Sequence, residues 1–410
     1  MKEGTIKNIL DAVRDWVNNK EQSYKPGEIY ESVPNEIIKM LWDGDVKFDE
    51  LVHVTGAEGL NPVSKLENYL HFINIFYDME EIKQNALTFT NIGDEDESFR
   101  FHLEVFPGFT PTLFLIEEDD LVPFELDKFY TIPAHSEIKI VGYNPTGKVG
   151  FQTMWYFDGW SQNSNINISG KLTSLIDIVG QLDILPDTAD FSSLFKYSPV
   201  VDASGLIFPN NVTSACYDDM FRICTSLIKA PELPATTLAD NCYSSMFQGC
   251  TSLTEAPKLP ATTLSTACYS GMFSGCNSLI KAPKLPATTL ADNCYSSMFS
   301  NCRNLIKAPE LPATTLAEGC YSGMFINCRK LIQAPVLSAT TLAEGCYSGM
   351  FVGCRSLNYI KCLATNISAG RCTPNWVRGV SNNGTFVKHP DSDWPTGNDG
   401  IPSGWTIENA

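Results

Sequence analysis

The chain has 410 residues, 43% of them hydrophobic, and a formal net charge of −18 at pH 7. This hydrophobic share excludes a disordered chain and is enough for two or three domains with real cores. Residues 1–200 carry 33 acidic and 15 basic side chains, whereas residues 201–410 carry 14 of each. The acidic front half argues against nucleic acid and anionic membranes as partners, and it favours a protein or a neutral glycan.

The first predicted elements are helices. Apolar residues recur on one helical stripe within residues 4–18, and a second broad stripe runs from Val63 to Gln84. The N-terminus has no apolar h-region, and no stretch reaches the roughly 18 apolar residues that a membrane span needs. We therefore expect a helical docking module at residues 1–85, no membrane span, and synthesis in a reducing cytosol.

From about Ala86 the apolar pattern changes to a period of two. Short alternating runs such as FRFHLEVF and EIKIVGY are separated by turn-rich stretches, which predicts a β-sandwich over residues 86–170. The densest aromatic stretch, MWYFDGW, contains Trp155 and Trp160. These rings are candidates for stacking on a sugar, although packing in the sandwich core and against another module is the simpler interpretation.

The cysteines define the back half of the chain. None of the fourteen precedes Cys216, and thirteen of them fall on two ladders with one period of 26 residues; Cys362 stands off both. A fixed period of this size is typical of a solenoid, in which each unit buries its apolar face against the next. Two cysteines of one unit are eight residues apart, too far along a helix for a disulfide. We expect free thiols that act as small buried hydrophobic groups.

One unit, from Leu227 to Ser252, reads LIKAPELPATTLADNCYSSMFQGCTS. Its second half places Cys242, Met246 and Cys250 at the spacing of one helix face, and Thr237 followed by Asp240 has the spacing of a capping box. Two prolines in the first half exclude a long strand. The pattern predicts a short strand and a short helix in each unit.

The unit resembles the BspA-type leucine-rich repeat of bacterial surface proteins. Leu227, Leu233, Pro234, Phe247 and Cys250 fill positions of that pattern, and the 26-residue form is similar to a variant found in gut anaerobes and their phages. The resemblance implies a leucine-rich-repeat solenoid at residues 171–385, including an N-terminal cap, and a C-terminal cap at residues 386–410. The expected fold class is therefore multidomain α+β: a helical module, a β-sandwich and a solenoid.

Candidate binding residues in the array form one column. Arg303, Arg329 and Arg355 each follow a ladder cysteine, at a position held by Thr225, Thr251 and Asn277 in earlier units. A stacked arginine stripe is suited to a carboxylated glycan or an acidic protein face, and a solvated rim is the simpler alternative. No grouping of cysteine and histidine has zinc spacing, and no catalytic motif stands out, so we expect no metal, no cofactor and no enzymatic activity.

These observations favour a phage structural protein as the function. Its N-terminal part would dock on other virion proteins of the tail or capsid, and its repeats would present a surface for recognising a host glycan or protein, or for decorating the particle. The virion, assembled in the host cytoplasm, is then the expected location. Two alternatives remain at this stage: a bacterial cell-surface adhesin of the same repeat family, and an intracellular protein-binding scaffold. A homo-oligomer is also open.

Overall fold

The computed structural model describes residues 79–103, 113–117, 120–125, 128–142, 155–158, 165–178, 182 and 184–410. Its contacts divide the chain into two units, Met1–Gln84 and Asn85–Ala410. The predicted helical module at residues 1–85 lies outside the described residues, apart from its last seven. Those seven form the helix α1, Met79–Asn85.

The predicted fold class is wrong. In the part of the chain that the structure describes, α1 is the one α-helix, and the rest is strand, turn and one 3-10 turn at Leu172–Leu175. The strands are β1 Leu87–Asn91, β2 Glu97–Leu103, β3 Leu113–Glu117, β4 Asp120–Pro123, β5 Tyr130–Ile132, β6 Glu137–Gly142, β7 Trp155–Asp158, β8 Ile166–Lys171, β9 Val200–Ile207, β10 Tyr359–Cys362, β11 Thr385–Lys388 and β12 Thr406–Asn409. A solenoid of strand and helix requires a strand and a helix in each repeat. The structure instead has neither a named strand nor a helix between the end of β9 at Ile207 and the start of β10 at Tyr359.

The front of the second unit contains two sheets. One has six strands in the order β4-β3-β6-β1-β8-β9, and the other has three in the order β5-β2-β7. Neighbouring strands are antiparallel except for β8 and β9, which pair in parallel. Phe89 of β1 stacks on Phe99 of β2 with ring centroids 5.3 Å apart, so the two sheets share a core. The larger sheet continues beyond residue 170 through β9, whose Asp202 is the bridge partner of Lys229 in the first clear repeat unit.

The repeat array, residues 201–382, is a stack of 26-residue units in register. Its units are joined by isolated parallel bridges such as Thr237 to Thr263 and Lys281 to Lys307. Longer ladders do not form there because each of the clear units carries one or two prolines, such as Pro231 and Pro234, that supply no backbone donor. At the far end the column of bridges passes from Gln333 to Tyr359 and enters the parallel sheet β10-β11-β12.

The segment predicted as a helix in each unit is a run of turns. Within residues 241–250 every second N–H donates to the next unit, as Tyr243 does to the Cys268 carbonyl at 3.0 Å. The intervening N–H groups bond three residues back, as Ser244 does to Asn241. Every fourth residue then has a positive φ, which an α-helix excludes. The predicted capping box is likewise not a helix cap: a carboxylate oxygen of Asp240 accepts the N–H of Thr266 in the next unit at 3.0 Å.

The interior of the array consists of identical side chains stacked on one another. Tyrosine rings of successive units lie 5.7 to 6.2 Å apart, and phenylalanine rings form a second column with spacings from 5.6 to 5.8 Å. Trp376 continues the tyrosine column at 6.0 Å and stacks on Trp394 at 5.3 Å. All fourteen cysteines are free and buried, as the sequence predicts.

Candidate recognition surface

The three predicted arginines lie at equivalent turns on the outside of the array. Leu305 donates its N–H to the Cys302 carbonyl at 3.1 Å, and Arg303 occupies the first corner of that turn. Arg329 and Arg355 occupy the same corner one and two units later. All three are exposed, because the cysteine and leucine that close each turn point into the core. The structure therefore brings the predicted column together.

A column of isoleucines, which the sequence analysis did not single out, lies three residues beyond the arginines. Ile280, Ile306 and Ile332 are 56%, 50% and 52% exposed, unusually open for large aliphatic side chains. They are in register, since the Ile306 N–H donates to the Ile280 carbonyl at 3.0 Å. The sequence could have revealed this column, because isoleucine recurs there every 26 residues. Packing in the core does not explain an apolar residue that repeats at an outward position.

Together these columns define the basic flank, residues 279–281, 303–307, 329–333 and 355–358. The flank contains six basic side chains and no acidic one: Lys281, Arg303, Lys307, Arg329, Lys330 and Arg355. The next exposed column is mixed, with Lys284, Glu310 and Val336. The positive charge is thus concentrated on one edge of the last four units, in a protein that is acidic as a whole.

None of the basic side chains of the flank has an ion pair within the described part of the chain, whereas Lys229, in an earlier unit, binds a carboxylate oxygen of Asp202 at 2.8 Å. Carboxylates lie beside the flank: Glu255 precedes Lys281 in its column, and Glu310 follows Lys307 by three residues. Lys281 and Lys307 are bridge partners, so two like charges stand on adjacent backbones. Like charges in such positions repel, and the flank is therefore an electrostatically unsatisfied surface.

A second surface of the array is neutral. It consists of paired threonines that follow the proline arm of each unit, and Thr237 and Thr263 are bridge partners in it. These threonine side chains are exposed: Thr236, Thr237, Thr262, Thr263, Thr288, Thr289, Thr314, Thr315, Thr340 and Thr341. This threonine flank has the same regular spacing as the basic flank without its charge, which makes it a matched reference surface.

Of the two predicted tryptophans, the structure describes only the backbone of Trp155, which lies in the front sheets and not in the array with the arginines. Trp155 is the first residue of β7, where its backbone pairs with Leu103 of β2. Trp160 lies outside the described residues. Their predicted role as sugar-stacking rings stays a prediction.

A cavity of about 370 Å³ lies where the larger sheet meets the first clear repeat unit. Its lining includes Lys171 from β8, Leu206 from β9, and Glu232 from the proline arm. It contains none of the predicted site residues.

The thiols of the array are buried, and burial keeps them protonated at neutral pH. Burial raises the pKa of Cys224, Cys302 and Cys354 to about 12, far above neutral pH, so these sulfurs stay protonated and are poor nucleophiles and ligands. Instead they act as donors: Cys302 gives its S–H to the Phe273 carbonyl at 3.0 Å. Among the residues that the structure describes, no three metal-ligating side chains cluster.

Comparison with known proteins gives no relative for this chain. No protein-family model matches it, and neither the curated proteins nor the solved structures contain a match. Within the described ranges, no helix is long and apolar enough to cross a membrane.

Proposed function

We propose that this protein is a non-enzymatic structural protein of a phage virion, in which the repeat array is a rigid recognition surface. The N-terminal part docks on other virion proteins of the tail or capsid. The array is presented to a host-surface macromolecule or decorates the particle. The observation that carries this proposal is the basic flank, a set of basic side chains without an ion pair to the described residues and of exposed aliphatic side chains, held in register by hydrogen bonds between units.

Three further features support the proposal. The repeat resembles units found in phages of gut anaerobes. The thiols are reduced and buried, which suits a protein assembled in a cytosol. The near-identical units can also be gained or lost without a new fold, as a surface that must follow a changing receptor requires.

Immunogold labelling of purified particles tests the virion role. Antibodies against the repeat array should decorate particles released from a lysed culture of the host, and purified protein should compete with the particles for adsorption to host cells. Labelling confined to the bacterial envelope would overturn the proposal and favour an adhesin. Labelling confined to the cell interior would favour a protein-binding scaffold.

A further inference from the structure

We propose that the basic flank binds an acidic protein segment that also carries apolar side chains. This inference rests on the recognition role proposed above and names the partner class for that surface. Its starting point is the repulsion within the flank: six positive side chains lie on four adjacent turns, and none of them has an ion pair with the described residues. An anionic partner relieves this repulsion, so charge complementarity selects a carboxylate-rich ligand.

The isoleucine column decides between the two sources of carboxylates, protein and glycan. Sugar rings pack on flat aromatic faces, and the flank offers aliphatic side chains where those faces would be needed. Three isoleucines that are each about half exposed and aligned along the stack match the apolar side chains of a protein segment. The flank therefore combines an apolar strip with a charged border, the usual anatomy of a protein interface.

The arginines set the geometry of this contact. A guanidinium group presents a planar fork of N–H donors that donates two parallel hydrogen bonds to a carboxylate. Because Arg303, Arg329 and Arg355 occupy one corner in three successive turns, they offer three such forks in a line. The isoleucines run parallel to this line, so one segment that follows the stack meets both columns.

The array itself supplies variants that remove each column without a foreign residue. Threonine occupies the arginine position at Thr225 and Thr251, and it occupies the isoleucine position at Thr254. The triple variants R303T/R329T/R355T and I280T/I306T/I332T therefore place tolerated residues on the same backbone. T236S/T262S/T288S on the threonine flank is the matched control. Circular dichroism and thermal midpoints establish that each variant is folded.

The probes are three anionic molecules tested on the full-length protein by fluorescence anisotropy and competition. One is a labelled synthetic peptide that alternates glutamate with leucine, the second is the same peptide with serine in place of leucine, and the third is polygalacturonate. The first peptide should bind most tightly. The arginine variant should weaken that binding about tenfold or more and flatten its dependence on salt. The isoleucine variant should weaken it severalfold and leave the serine peptide unaffected, and the control should bind like the wild type.

Equal binding of all three probes, or an isoleucine variant that binds like the wild type, would overturn the inference, because the flank would then be a general anion surface. Self-association that is lost in the arginine variant would replace the separate partner with a second copy of this chain and would also overturn it. Failure here is separable from failure of the virion role. Labelled particles with a flank that binds no probe refute only this inference, and unlabelled particles with an intact peptide site refute only the virion role.

Discussion

At the scale of single residues, the array is governed by one backbone conformation. Every fourth residue of the turn segment has a positive φ, a region that favours glycine and tolerates asparagine. The column that ends this segment reads Ile223, Gly249, Gly275, Asn301, Asn327, Gly353 and Gly379. Ile223 is the exception, with a β-branched side chain at a φ of 60°.

Replacing Ile223 by asparagine should therefore stabilise the protein. Asparagine relieves a left-handed conformation that costs a β-branched residue about 1 to 2 kcal/mol, and part of this gain is offset because a smaller apolar surface is then packed beside Gly249. We expect a net gain of about 1 kcal/mol, measured as a shift of the urea or thermal midpoint. Gly353→Ala is the opposite control, since its new methyl group would meet the side chain of Asn327 at a positive φ. A destabilised I223N protein would contradict this account.

The cysteines illustrate how the interior selects a residue type. In the second ladder each thiol reaches back to a phenylalanine carbonyl of the previous unit, as Cys250 does to Phe221 and Cys276 to Phe247, both at 3.1 Å. The thiol is small enough for the stack and still supplies a weak donor. Cysteine is thus a packing residue here, and its reactivity is suppressed.

This burial predicts that the protein loses stability in alkali. Burial raises the pKa of Cys216, Cys294 and Cys346 to about 12, against 9.0 for an ordinary thiol. Above pH 9 the unfolded chain releases protons that the folded chain retains, so stability is intact below pH 9 and falls between pH 9 and 12. Each thiol contributes up to about 1.4 kcal/mol per pH unit in that window. Urea unfolding at a series of pH values measures the slope.

A thiol reagent provides the control for this prediction. At pH 8 the folded protein should react with a disulfide reagent only slowly, and the same protein in urea should react at once with all of its cysteines. Fast reaction of the native protein would show that the thiols are accessible and would remove the basis of the pH prediction.

At the scale of elements, the sequence analysis identified the unit and its register but assigned the wrong backbone. Cys242, Met246 and Cys250 recur every four residues, a spacing shared by a helix face and by this turn segment with its four-residue period. Burial alone cannot separate the two. The residues at positive φ, among them Ser245 and Gly271 in one column, were the distinguishing signal. Their bonds go to the neighbouring unit, so no rule for local helix formation could reveal them.

The equivalence of the units predicts that one of them can be removed. Deleting residues 279–304 joins Ser278 to Leu305, and the Tyr269 N–H then meets the Cys320 carbonyl in place of that of Cys294. Because stability in such stacks is roughly a sum of unit and interface contributions, the variant should fold with a moderately lower midpoint. Deletion of residues 279–291, half a unit, should destroy the register and the cooperative transition. Similar thermal unfolding of the two variants would refute in-register stacking.

At the scale of the whole molecule, what could be predicted depended on repetition. The arginine column was found because three equivalent positions could be compared, and the isoleucine column was available by the same comparison. The front sheets could be anticipated only as alternating strands, since the pairing of β8 with β9 in parallel joins segments whose order no local pattern fixes. The cavity beside Glu232 is lined both by the larger sheet and by a proline arm of the array, and no pattern within either segment predicts it.

The hydrogen bonds that join each unit to the next also determine how the molecule responds to tension. A pull on the two ends of the array would load every junction between units, and the junctions would break one at a time, because a unit bonds only to its immediate neighbours. Each detached unit would release 26 residues, an extension of about 85 to 95 Å. An array fixed at one end and pulled at the other would then lengthen in equal steps, and each step would absorb mechanical work before the attachment fails.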